Sequence, residues 1–488
     1  MLRSDTLIRN ATIYDGNGAE PEVADVAITA DRIAAIGPSL DCTAATVVDA
    51  ESLALAPGFI DTHTHDDTAI LCASAMLPKL SQGVTTVITG NCGISAAPVT
   101  LNGSLPDPMN LLGDAAAFRY PTFASWVAAV RAAQPSVNVA ALVGHTALRN
   151  NHMDTLDRPA TPSEIAAMRA QLEDSLAHGA LGLSTGLAYL SAHAATTDEV
   201  LALAEPLAAS CAIYTTHMRT EGAAILDAMH EAFTVGRDAH VPIVISHLKC
   251  AGIDNWGRSP DVLATLESAR ASQPVACDCY PYAAGSSTLD LRQVDPLITI
   301  TITWSTPHPE AAGQTLSEIA HSWNLSQLDA ARRLQPAGAI YHSISEQDMR
   351  RILAHPATMI GSDGLPNDPR PHPRLWGTFP RVLGFYSRDE KLFPLAEAVH
   401  KMTGLPATRF SLAQRGLIRE NYFADLVLFD PATIRDTATF DDPQQPAAGI
   451  HSVWVNGTLS YTLEGATPNR AGRFLPRNPN ISTNGRHA

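Results

Sequence analysis

From about residue 58 to residue 364 the chain repeats one pattern, a short apolar run rich in β-branched residues that ends on a polar residue, followed by a longer stretch with helical spacing. Such alternation suits a parallel sheet covered by helices, because each parallel connection must cross over the sheet. The runs end near His65, Cys92 (VTTVITGNC), His145 (VNVAALVGH), Gly186 (ALGLSTG), His217 (AIYTTH), His247 (VPIVISH), Tyr280 (VACDCY) and Asp363 (TMIGSD). About eight strands are enough to close a (β/α)8 barrel. A doubly wound open sheet is the competing α/β arrangement. Closure is favoured because metal-competent residues end non-neighbouring strands, and only a barrel gathers those ends on one face. Helical spacers fall at 163–178 and 221–236, each running into a glycine-bearing turn.

At 488 residues the chain exceeds what one core usually supports. Residues 7–48 read as short strands and turns, and a similar texture returns at Tyr422 (YFADLVLF) and Ser452 (SVWVNG). Neither piece can close a core by itself. The expectation is a small β-sandwich built from 1–57 and 414–488, with the barrel at 58–413 between them. Roughly eighty residues separate Tyr280 from Asp363, too many for one βα connection. About 285–341 is therefore an insertion over the barrel mouth, with a strand-like β-branched run at 298–304. A frayed tail is expected after about Arg473.

With 33 Lys+Arg against 49 Asp+Glu, the net charge of -16 opposes nucleic-acid and anionic-membrane partners. No apolar run is long enough to span a bilayer, and the N-terminus shows no signal-peptide pattern. Seven scattered cysteines, an odd number without scaffold spacing, point to a reducing cytoplasm. Oligomeric state is not legible.

The candidate chemistry lies at the strand ends. In PGFIDTHTHDD from Pro57, strand alternation would point His63 and His65 to one side, where two imidazoles could share a metal ion. Cys92, between glycines in GNCG, adds a thiolate, and His217 and His247 end two successive strands about 5 Å apart. Each of these alone is more often packed in a core than bound to metal; their matching positions favour a site. Asp363 would face His63 and His65 where a closed sheet brings the last strand beside the first. A carboxylate there can take a proton from an attacking water and return it to a leaving nitrogen. Lys249 and Arg374 would supply positive charge for an anionic substrate, with hydroxyl donors from Tyr280 and Ser286. His145, Tyr189 and His193 could line the pocket, with loop packing the favoured reading, and the C-x-C pair Cys277 and Cys279 reads as structural.

With QGVTTVITGNCGIS from Gln82, THMRTEG from Thr216, VISHLK from Val244, MIGSDGLP from Met359 and HPRLWGTFPRVLG from His372, the chain resembles the metal-dependent amidohydrolase superfamily. Within it the resemblance is to the D-aminoacylases and runs over nearly the whole chain. It implies a (β/α)8 barrel with a small β domain. Carried over by position, it makes Cys92, His217 and His247 the ligands of a tightly held Zn2+. His63 and His65, with Cys92 and Asp363, form a weaker second position. Asp363 becomes the catalytic acid/base, and Lys249, Tyr280, Ser286 and Arg374 grip the substrate carboxylate. Many superfamily relatives place a bridging lysine at the end of the fourth strand, but LSTG at Leu183 offers none, which suits the D-aminoacylase branch.

The expected activity is hydrolysis of N-acyl-D-amino acids, with D over L resting on the resemblance alone. A cyclic amidase of the hydantoinase or dihydroorotase type is the nearest rival, and an inactive amidohydrolase-like scaffold a more distant one. The preferred side chain and acyl group stay open.

Overall fold

The computed structural model describes residues 2–478, an α/β fold in which a mostly antiparallel sheet and a parallel strand series share the chain. The N-terminal segment forms β1 (Leu2–Ile13), β2 (Glu22–Thr29), β3 (Arg32–Gly37), β4 (Cys42–Asp49) and β5 (Ala54–Pro57). The parallel series then runs through β6 (Phe59–Asp61), β7 (Val84–Thr89), β8 (Asn138–Ala141), β9 (Val143–Gly144), β10 (Gly182–Gly186), β11 (Ile213–His217), β12 (Ile243–Ile245) and β13 (Val275–Cys279). An antiparallel trio, β14 (Gly285–Thr288), β15 (Ile300–Ser305) and β16 (Ala337–Tyr341), intervenes before β17 (Thr358–Ile360) completes the series. Near the C-terminus β18 (Leu426–Phe429), β19 (Ile450–Val455), β20 (Thr458–Thr462) and β21 (Gly465–Ala466) return to the first sheet.

The parallel strands pair in the orders β6-β7-β8 and β17-β13-β12-β11-β10-β9. Their side chains alternate between two cores, as a period of two demands. Ile60, Ile88, Ala140, Leu181, Ile213, Val244, Ala276 and Met359 pack with one another on one face. Phe59, Val87, Val139, Ile243, Ile245, Cys277, Cys279 and Ile360 join the larger core that includes helix residues such as Met168, Leu203, Met229 and Ile352. The helix Pro162–Ala177 begins with a reciprocal Thr161/Glu164 cap, and Ile225–Ala239 is the second expected spacer.

Two seams link the parallel groups. β8 and β9 are one run interrupted at Leu142. Between β6 and β17, the Thr62 hydroxyl donates to the Ile360 carbonyl at 3.0 Å. Beyond it, Asp363 N–H donates to the His63 carbonyl at 2.7 Å and His65 N–H to Gly364 at 3.0 Å.

Both ends of the chain meet in one hydrogen-bonded sheet of nine strands, where β18 pairs with β5. Its core sets Ile8, Val26, Ile28 and Leu55 from the first segment against Leu426, Leu428 and Trp454 from the last. β4 carried no sequence signal because it is an edge strand whose side chains are mostly exposed. The trio β14-β16-β15 has its own core, with Ile300, Ile302, Leu316, Ile319 and Leu334. The strand expected at 298–304 is β15.

The frayed tail expected after Arg473 is overturned as far as residue 478. Phe474 is buried against Phe123 and Trp126, with ring centroids 6.0 and 6.2 Å away, and Val139 N–H donates to the Arg473 carbonyl at 2.9 Å. An aromatic side chain with a core to enter outweighs the polar composition around it. Residues 479–488 lie outside the described residues. Among the described residues no helix is long and apolar enough to cross a membrane.

Lys79 is fully buried between the first and last parallel strands. Its ammonium donates to Asp61 Oδ2 at 2.7 Å, Thr64 Oγ1 at 2.8 Å and Ser362 Oγ at 3.1 Å, and lies 3.0 Å from Asp66. Burial alone would lower its pKa, but Asp61 and Asp66 outweigh that and raise it. Replacing Lys79 with Met should cost about 3–5 kcal/mol in urea unfolding, because two buried carboxylates lose their counter-charge. A loss below about 1 kcal/mol, the scale of an exposed pair, would show that the cluster does not fasten the strands.

Candidate metal centre

Left-handed backbone falls at three of the residues singled out from the sequence. Cys92, His247 and Asp363 have φ of 53°, 35° and 48°, left-handed values that cost a non-glycine residue about 1–3 kcal/mol. Each follows a strand end by two or three residues and turns its side chain across the strand tips. Gly93 must be glycine for this turn, since a Cβ there would stand 2.6 Å from the Gly186 nitrogen.

Two overlapping groups result. Cys92, His217 and His247 form one, and His63, His65, Cys92 and Asp363 the other, with the ligand atoms in each all within 4.8 Å of one another. Cys92 Sγ lies 3.2 Å from His63 Nε2 and 3.3 Å from His247 Nε2. Zinc bonds of about 2.0–2.3 Å place tetrahedral ligands roughly 3.5 Å apart, so each pair can share an ion, His247 and Cys92 in the first group and His63 and Cys92 in the second. Asp363 Oδ1 is 3.1 Å from His65 Nε2 and 3.4 Å from His63 Nε2. The rings of His217 and His247 stand edge to face, with centroids 4.4 Å apart.

One expectation reached the right place by the wrong route. His63 and His65 do not lie on a strand, since β6 stops at Asp61. The pair is aimed instead by the loop's bonds to Asp363 and Gly364 and by Lys79 below.

Charge and orphaned atoms support the fit to a cation. Burial would lower the imidazole pKa values; at His63, His65 and His247 the surrounding anions outweigh it, whereas burial and then His247 keep His217 lowered. Cys92 leads in raising His63 well above the ordinary value, Asp363 in raising His65 to about 9 and Glu221 in raising His247 to about 9. Burial pushes the Cys92 thiol up, and His63 and His247 reverse this to hold it well below its ordinary value. A buried cluster that demands positive charge this strongly is what a divalent ion satisfies by replacing protons. Nδ1 of both His65 and His217 is buried without a partner.

Two supporting carboxylates escaped the sequence reading. Asp278 accepts from His247 N–H at 2.8 Å and sits 3.2 Å from His63 Nδ1; Glu221 lies 2.9 Å from His247 Nδ1. Each would hold its imidazole with Nε2 toward the centre. Asp278 was legible in principle, because a carboxylate between two buried cysteines on a strand faces the opposite core. Its neighbours are Cys277 and Cys279. Both of those thiols are buried and raised by burial, in keeping with a structural role. His145 packs against Glu199, whose carboxylate also takes Arg149.

A cavity of about 500 Å³ opens above the cluster, with His65, His217, His247 and Asp363 at its base and Lys249, Tyr280 and Ser286 on its wall. Asp290, Arg292 and Ile298 of the segment around the antiparallel trio complete it, as do Tyr189 and His193. Lys249 Nζ is tied to Glu221 at 2.6 Å. The Tyr280 and Ser286 hydroxyls are buried and unpartnered. Burial pushes Tyr280 up to about 12 against the pull of Lys249 and Arg374, so its hydroxyl stays a donor. Arg374 stands behind Asp363, fully buried, with Nη2 2.8 Å from Asp363 Oδ2 and Nε and Nη1 unpartnered. Burial raises Asp363, but Arg374 and then His63 hold it well below the usual carboxylate range.

Known proteins share this sequence and fold over nearly their whole length. A family model described as the amidohydrolase family matches residues 46–461. A D-aminoacylase of Alcaligenes xylosoxydans xylosoxydans is 51% identical over 97% of this chain and 98% of its own. An N-acyl-D-aspartate deacylase of the same organism is 48% identical over 97% and 95%. Among solved structures, the N-acyl-D-glutamate deacylase of Bordetella bronchiseptica, complexed with zinc and a phosphonate mimic of the tetrahedral intermediate, superposes with a TM-score of 0.94 at 42% identity, covering 98% of this chain and 100% of that one. The chain belongs to the amidohydrolase family, in its D-aminoacylase branch.

Proposed function

We propose that the protein hydrolyses the amide of N-acyl-D-amino acids to a carboxylate and a free D-amino acid, with zinc held by Cys92, His217 and His247. The observation that carries this reading is the convergence of a thiol, imidazoles and a carboxylate beneath a cavity whose wall offers unpartnered donors. His63 and His65, with Cys92 and Asp363, make a second, weaker metal position. The architecture behind it is a closed (β/α)8 barrel over 58–413, supported by the β6/β17 seam and the two alternating cores. The described residues within 1–57 and 414–488 form the small domain as a sandwich, and 285–341 is the insertion that walls the mouth. The cytoplasm is its compartment, in keeping with seven unpaired cysteines.

Zinc in this site supplies Lewis acidity toward the acyl carbonyl and acidifies water at neutral pH. Asp363, kept anionic by Arg374, accepts the proton of the attacking water; the resulting strong acid then donates it to the leaving nitrogen. Tyr280, Ser286 and Lys249 bind the substrate carboxylate from the cavity wall. Arg374 does not line the cavity; it adds positive charge from behind Asp363. The trio segment walls the cavity through Ser286, Asp290, Arg292 and Ile298 and limits access of water, which strengthens these contacts.

Asp363→Asn should lower kcat by about 10²–10⁴ while the purified protein keeps its zinc. A variant that turns over within a few-fold of the parent would remove Asp363 from the proton path. Dialysis against a chelator should abolish activity and a stoichiometric return of zinc restore it, measured by metal analysis beside the assay. Activity that persists in protein stripped of metal would rule out the metal role. Initial rates over N-acetyl-D- and L-methionine, leucine, glutamate and aspartate, with hydantoin alongside, should show hydrolysis of D-substrates alone. Turnover of hydantoin with none of the D-amides would make the protein a cyclic amidase.

A further inference from the structure

A second cavity, of about 300 Å³, lies at the opposite end of the strands, where β13 begins at Val275. At about 3.3 Å per residue, the five residues of β13 put it roughly 15 Å from the metal centre. Its walls come from the end of the helix Ser259–Arg270, the turn Gln273–Pro274, the helix Gly404–Arg409 and the loop that follows. That loop also inserts Phe410 and Leu412 into the core formed by Ile60, Val244, Ala276 and Met359. The cavity therefore has a rigid floor.

The chemistry of the lining is one-sided. Arg270, Arg409 and Arg415 line it, and no aspartate or glutamate does among the described residues, although the chain carries a net charge of -16. Arg415 is already committed to Asp425 and to Asn456 at 2.9 Å, and Arg270 to Glu267 at 2.7 Å. Arg409 has no carboxylate partner among the described residues; its Nη2 reaches the Val275 carbonyl at 3.5 Å. Three lining residues also hold buried polar atoms without a partner, Arg409 Nε, Ser411 Oγ and Gln273 Oε1. Ser411 is only 6% exposed, so solvent does not readily serve it. Burial and then the charge of Arg270 press the Arg409 guanidinium down to about 10, a strain that a nearby anion would relieve.

Unpaired buried donors are costly and call for an explanation. We propose that this cavity binds the anionic group, phosphate or carboxylate, of a small molecule, held by Arg409 and Ser411. Arg409 supplies a charge-assisted N–H and Ser411 a hydroxyl donor. The Gln273 amide adds a third donor when turned about its last bond. Leu405, Leu417 and Tyr422 line the remaining space and suit an apolar or aromatic remainder of the ligand.

The test is calorimetric titration of the zinc-loaded full chain with inorganic phosphate in one arm and acetate in the other, against chloride at matched ionic strength. Either anion can also reach the metal centre, where it would inhibit hydrolysis, so the hydrolytic rate is followed in parallel. The expected result is saturable binding of one anion per chain that leaves turnover of N-acetyl-D-methionine unchanged. The arm that binds identifies the group. Arg409→Gln should weaken this binding about tenfold or more, the equivalent of a lost charge-assisted bond, and Ser411→Ala should weaken it less; neither should change turnover. Should Arg409→Gln fail to fold, Ser411→Ala combined with Gln273→Leu carries the same comparison. Binding confined to the inhibitory event, or equal binding by parent and variants, would leave only ordered water in the cavity and overturn the proposal.

Discussion

The Lys79 ammonium, enclosed by Asp61, Asp66, Thr64 and Ser362, is the contact on which the metal centre depends most. Asp61 ends the first parallel strand, and its carboxylate also accepts from the N–H and hydroxyl of Ser362, just after the last one. The same ammonium grips Thr64, between the two histidines. One buried positive charge thus sets both the approach of Asp363 to His63 and His65 and the direction of the loop that carries them. Such an ion cluster contributes little net stability compared with apolar packing, because desolvation offsets much of its attraction. Its value is geometric: in a low dielectric it tolerates few alternative arrangements.

Above that fastening, the centre is built from strained backbone and oriented rings. Left-handed turns at Cys92, His247 and Asp363 point side chains across the strand tips that an extended chain would direct along them. Asp278 and Glu221 fix His63 and His247 by their Nδ1 atoms. The consequence is an anionic, buried cluster poised for a cation before substrate arrives. Arg374 then does two things at once, holding Asp363 ionised and leaving two nitrogens free beside it. In the proposed reaction, a base that is weak in the resting site becomes an effective acid once protonated, as amide cleavage requires.

The other end of the strands makes an instructive contrast. There the loop after the helix Gly404–Arg409 fills the core between the strands with Phe410 and Leu412, and the surrounding polar groups are basic. The two ends thus differ in charge, carboxylates interleaved with Arg219, Lys249 and Arg292 above and arginines without a lining carboxylate below, on one strand series.

Much of this was written in the chain. The alternation of apolar runs and helical spacers gave the parallel series, because the runs are short and β-branched while the spacers are long enough to show a helical period. The strand-end residues Cys92, His217, His247 and Asp363 were legible because each interrupts an apolar run with a side chain that such a run has no reason to contain. Sequence also marked 285–341 as an addition, from length alone. It did not reveal Asp278, Glu221 or Lys79 as parts of the centre, nor the burial of Phe474, nor that His63 and His65 stand beyond their strand. These depend on which distant groups share a buried volume, and a charge far along the chain leaves no local pattern. Local periodicity is fixed by covalent geometry, so the sequence by itself determined the strands and their polar tips. Only the tertiary structure decided which charges face one another, because long-range electrostatics in a low dielectric are set by position in space.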